Sequence, residues 1–112
     1  MAIINHHFSG DWNQERYDKT IAVVIPDQSN LPAGLIAHLA GPGEGGSGWQ
    51  VMEAWESQEA WENFLQNTLI PAAQELGMPP FETKTTELHN TLIAYARTSP
   101  TGRCPQIVRY RG

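Results

Sequence analysis

A single cysteine, Cys104, is all the thiol chemistry in this sequence. No intrachain disulfide can form, and a cysteine-built zinc or iron–sulfur centre is excluded within one chain. Arg103 beside it can lower a thiol pKa, but nothing else nearby builds a nucleophile site, so Cys104 is read as incidental. Long apolar runs are also missing. None approaches the roughly 20 residues that a membrane helix needs. The start, Met1 to His7, lacks the basic residues, apolar stretch and cleavage site of an export signal, so a cytoplasmic protein without membrane contact is expected. Basic residues are scarce as well. Through residue 96 there are three against twelve acidic ones, a net charge of −9, whereas residues 97 to 112 carry +4. A body this acidic repels a phosphate backbone, and no aromatics alternate with Lys or Arg, so nucleic acid is not expected as a partner.

What remains, 112 residues with 40% apolar and 17% charged side chains, suits one globular domain with one core. We place that domain at residues 1 to 96 and a basic tail at 97 to 112. Residues 2 to 8 form a first strand with Ile3, Asn5 and His7 on one face and Ile4, His6 and Phe8 on the other. Asp11, with Gln14 at the capping-box position, starts a helix over 12 to 24 that Pro26 stops. Residues 34 to 40 and 49 to 55 are strands of a hairpin whose tip, Gly41 to Gly48, is mostly glycine. That tip joins two strands and lacks the Lys-Ser/Thr ending of a phosphate loop, so phosphate binding is not expected there. Ser57 caps a second helix, in which Trp61, Phe64, Leu65, Thr68, Leu69, Ala72, Ala73 and Leu76 share one face. Pro71 should kink or break its last turns, and Gly77 ends it. A last strand is expected from Glu82 to about Ala94, and Gln106 to Val108 can add an edge strand.

Strand, helix, strand, strand, helix, strand is the split βαβ order of an α+β, ferredoxin-like fold, with four antiparallel strands carrying both helices on one face. Both faces of the strands hold apolar residues. Covering the open face with a second copy is the economical solution, so a homodimer is expected.

The stretch from Gly48 to Trp61, with Trp55, Ser57, Ala60 and Trp61 at its end, resembles the strand-to-helix passage of the dimeric α/β-barrel superfamily that contains the antibiotic-biosynthesis-type monooxygenases. Further similarities are Leu35 to Gly41 with His38, Leu69-Ile70-Pro71-Ala72, and Leu88-His89-Asn90. The resemblance covers about residues 2 to 94. It implies a dimeric barrel and a cofactor-independent enzyme acting on an aromatic or polyketide-like compound. Haem-degrading proteins similar in fold use an asparagine on strand one, matched by Asn5, and a histidine late in the second helix. Gln74 stands at that place, which argues against haem.

The chemistry has to come from polar residues inside apolar strands, because burying an unpaired polar group costs about 1 to 3 kcal/mol. These are Asn5, His6, His7, His38, Glu53, His89 and Asn90. A neutral histidine can take a proton from a phenol or an activated carbon, and an asparagine can hold the oxyanion that results. His38 is therefore the candidate base and Asn5 its polar anchor. Trp49, Trp55, Trp61, Phe64 and His89 are candidate walls for a small hydrophobic or aromatic ligand, although aromatics at this spacing also build ordinary cores. A metal held by His7, His38, Glu53 and His89 is not expected, since no element carries the usual ligand spacing. No cofactor is expected. Two classes of function follow: a monooxygenase or another proton-transfer enzyme such as an isomerase or cyclase, or a non-catalytic ligand-binding or structural dimer.

Overall fold

A computed structural model describes residues 1–95 and 106–110. β1 (Ile3–Ser9) leads to α1 (Gln14–Val24), then β2 (Leu35–Pro42) and β3 (Trp49–Trp55). α2 (Gln58–Phe64) passes through a π-helical turn (Leu65–Leu69) into α3 (Ile70–Leu76). β4 (Glu82–Glu87), β5 (Thr91–Tyr95) and β6 (Gln106–Tyr110) follow. Four strands make an antiparallel sheet in the order β2-β3-β1-β4, which is the expected ferredoxin-like arrangement.

The core lies between this sheet and the helices. Trp55 from β3 is fully buried, and Ile3, Val24, Ile25, Trp61, Phe64 and Ala72 close around it. Trp55 packs its ring against both Trp61 and Phe64, at centroid distances of 5.7 and 5.3 Å. Aromatic pairs at such separations add to the energy of area burial.

Several sequence expectations are corrected. Helix one begins at Gln14, and its cap is Asn13, whose side chain accepts from the Arg16 N–H, rather than Asp11. The interruption expected of Pro71 in helix two is present, but it takes the form of a π turn rather than a break at the proline. The π turn precedes it, with the Ile70 N–H bonding back five residues to the Leu65 carbonyl, and the missing proline N–H falls where a new α segment starts. Gly77 closes that segment in the left-handed conformation that glycine reaches without strain.

The strand expected from Glu82 to Ala94 is two strands. Its pairing with β1 ends at Glu87 opposite Ile3, and one further bond joins the Leu88 N–H to the Ala2 carbonyl. Beyond that β1 offers no partner, so the chain leaves the sheet. β5 pairs instead with β6, from Thr91 opposite Tyr110 to Tyr95 opposite Gln106, as a separate two-stranded ribbon. The strand foreseen at 106 to 108 thus exists, in that ribbon. The expected domain boundary at residue 96 and Cys104 lie outside the described residues.

Candidate active site

Strand alternation selects which polar side chains reach the interior. Ile3, Asn5, His7 and Ser9 of β1 face the helices and are buried. Across the sheet Asn5 sits opposite Glu53 of β3 and Thr85 of β4, and His7 opposite Val51 and Thr83. His38 joins them through an irregularity. Leu35 pairs with Trp55, but the next pair is Ala37 with Ala54, so Ile36 is an extra residue in β2. Without this bulge His38 would alternate onto the open face; with it, His38 stands opposite Glu53 on the helix side.

The result is a chain of hydrogen bonds centred on a buried carboxylate. Glu53 Oε2 accepts from His38 Nδ1 at 2.7 Å, and Oε1 accepts from His7 Nε2 at 2.9 Å and Trp55 Nε1 at 3.2 Å. A carboxylate can only accept, so each ring nitrogen facing it carries the hydrogen. His38 Nε2 then accepts from the Tyr17 hydroxyl at 2.6 Å, and His7 Nδ1 from the Thr83 hydroxyl at 2.8 Å. Burial pushes the Glu53 carboxyl up, but the hydrogen bonds and charges of His38 and His7 outweigh it and lower its pKa from 4.5 to about 2. Tyr17 moves the other way. Burial first, then the negative charges of Glu53 and Asp18, raise its phenol above the ordinary value, so it stays a donor.

Tyr17 and His38 line an apolar cavity of about 60 Å3 between sheet and helices, together with Trp49, Phe64, Leu69 and Phe81. The Tyr17 ring lies between those of His38 and Trp49, at 5.8 and 5.3 Å. A larger hollow of about 430 Å3 lies beside it, under the π turn and the Met78 to Phe81 segment, and is bounded by Trp61, Ala73 and Thr83 among others.

Of the residues singled out from sequence, His7, His38, Trp49, Glu53 and Phe64 border the inner cavity. Trp61 sits in the core and borders the larger hollow, while Trp55 is enclosed and supports Glu53 from below. Asn5 is fully buried next to Glu53, away from the cavity wall; its Oδ1 accepts from the Thr85 hydroxyl at 2.7 Å, and its Nδ2 has no hydrogen-bond partner. His89 is exposed in the link between β4 and β5. Tyr17 and Thr83 escaped sequence reasoning as site residues. A tyrosine on a helix face and a threonine in an edge strand carry no local mark of a histidine partner. Glu53 and His7 were visible as polar residues in apolar strands, the only signal available. Among the described residues no group of three or more His, Cys, Asp or Glu side chains is arranged to hold a metal.

No protein-family model matches the sequence, and a comparison with curated proteins finds no match. Solved structures do match. A mutant of SnoaB, a cofactor-independent oxygenase from Streptomyces nogalater, superposes with a TM-score of 0.57 at 13% identity over 80% of this chain and 94% of that one. A candidate antibiotic biosynthesis monooxygenase from Deinococcus radiodurans gives 0.52 at 15% identity, covering 81% and 95%. A protein of unknown function from Nitrosomonas europaea gives 0.54 at 17%, covering 78% and 87%. This chain therefore shares with these structures the α+β, ferredoxin-like fold of a four-stranded antiparallel sheet carrying helices on one face. At these identities the likeness is one of fold, so any chemistry has to come from the side chains.

Proposed function

We propose that this chain is a small-molecule enzyme that takes a proton from an oxygen-bearing aromatic or polyketide-like compound, as a cofactor-independent oxygenase or a related proton-transfer enzyme would. The observation that carries the reading is the Tyr17–His38–Glu53 chain at the wall of an apolar cavity. His38 is the base. Its Nδ1–H is held by the Glu53 carboxylate, so its Nε2 lone pair is directed at Tyr17 and the cavity. A ligand proton passes to the Tyr17 oxygen as the Tyr17 proton passes to Nε2, and Glu53 stabilises the imidazolium that forms. The ligand is left as an electron-rich anion able to reduce dioxygen itself. His7 and Thr83 are positioning residues, holding the second carboxylate oxygen and so the orientation of Glu53. Asn5, beside Glu53 with its Nδ2 unpaired, keeps the anchoring role expected of it only toward an acceptor that reaches β1.

The test is oxygen uptake across a panel of phenols, quinols and anthrone-like polyketides. His38→Ala should lower the rate by roughly 10²- to 10⁴-fold, the usual worth of a general base. Uptake unaffected by that substitution refutes the assignment. The alternative, a non-catalytic dimer, is favoured by one observation, the small volume of the inner cavity.

The chain acts as a homodimer in this reading. The open sheet face presents Leu39, Met52 and Phe8, which are 66%, 46% and 36% exposed, and an apolar face of this kind is normally covered.

A further inference from the structure

The inner cavity, at about 60 Å3, is smaller than the roughly 150 Å3 that accommodates a benzene molecule in a protein interior. A ring cannot lie wholly beside Tyr17 and His38. The adjoining hollow of about 430 Å3 is wide enough, and apart from Thr83 and main-chain atoms its lining is apolar. Leu69 and Phe81 border both spaces and so form the wall between them. Neither is deeply fixed by a polar contact. Leu69 ends the π turn, where the helical ladder is widened, and Phe81 follows Met78-Pro79-Pro80 and meets His7 and Trp12 edge-on, at 5.1 and 5.9 Å. Joined, the two spaces fall within the roughly 300–1,000 Å3 of small-molecule sites.

We propose that the hollow under the π turn is the outer half of the ligand site. The ligand is an elongated, largely apolar molecule whose oxygen-bearing end meets Tyr17 and His38 and whose body runs past Leu69 and Phe81 to lie against Trp61, Ala73 and Met78. This rests on the acid–base reading of Tyr17 and His38 and adds the ligand's length and polarity to it. The Trp12 indole, which donates to the Pro79 carbonyl at 2.8 Å, fixes the start of the segment that carries Phe81, so the wall yields by side-chain rotation.

The experiment is calorimetric titration of the full chain with phenol, 4-ethylphenol, 4-butylphenol and 4-hexylphenol. Affinity should rise by roughly fourfold per methylene as the tail enters the hollow. Ala73→Phe and, from the loop side, Met78→Trp each fill the hollow and should flatten that rise, with circular dichroism confirming that each variant is folded. A flat series in the native chain, or a rise that survives both fillings, overturns the proposal. Tyr17→Phe and His38→Ala report on the polar end separately. Affinities unchanged by these two with the chain-length rise intact would refute the acid–base reading while leaving the hollow as the apolar site.

Discussion

At the residue scale, Glu53 decides the character of the site. Three N–H donors converge on one buried carboxylate, and the two histidines extend it to Tyr17 on one side and Thr83 on the other. Because its folded pKa is lowered from 4.5 to about 2, Glu53 binds a proton more weakly in the folded chain than in the unfolded one. Its stabilising contribution is therefore complete above about 4.5 and is lost as the pH falls toward 2, a difference of about 3 kcal/mol by linkage. Urea unfolding followed from pH 6 to pH 2 should show Glu53→Gln losing much of the acid-dependent slope of the native chain. Equal slopes would mean that Glu53 is not held as an anion. Asn5, His7, His38 and Glu53 could be picked from sequence because each interrupts an apolar strand. Their pairing could not, since it depends on cross-strand register, and Tyr17 enters only through the packing of α1 over β2.

At the scale of elements, the single extra residue in β2 is what sets His38 opposite Glu53. Deleting Ile36 removes the bulge and, with Leu35 kept opposite Trp55, places Ala37 opposite Glu53 and His38 on the open face. The deletion should cost as much activity as His38→Ala while the far-ultraviolet dichroism stays native; retained activity would show that His38 serves from another position. This is also why the direction of His38 was not legible beforehand. Alternation reads a strand's faces only while the period of two holds, and nothing in Leu35-Ile36-Ala37 announces the irregularity. β1, β3 and the start of helix two were legible, because their alternation, their flanking turn residues and the Ser57 cap all agree. The last strand was not, because its length is set by where β1 ends rather than by its own residues.

At the scale of the whole molecule, the order of elements was enough to give the fold, and the unpaired sheet face is what motivates the proposed dimer. Leu39, Met52 and Phe8 stand on that face beside Ile4, while the helices cover the other. Light scattering should find a dimer at micromolar concentration, and Leu39→Glu should convert it to monomer by placing a charge in the interface; a native chain that is monomeric would contradict the pairing. No helix among the described residues is long and apolar enough to cross a membrane. The two spaces, one small and bordered by Tyr17 and His38, the other wide and apolar, are both formed within a single chain.

The most direct test of the central claim, that His38 backed by Glu53 takes a proton from a bound ligand, is the absorption spectrum of 4-nitrophenol titrated with native protein and with His38→Ala below the pH at which the free phenol ionises. A phenolate band that grows with the native chain and is absent from the variant is the predicted result; identical spectra for the two would contradict it.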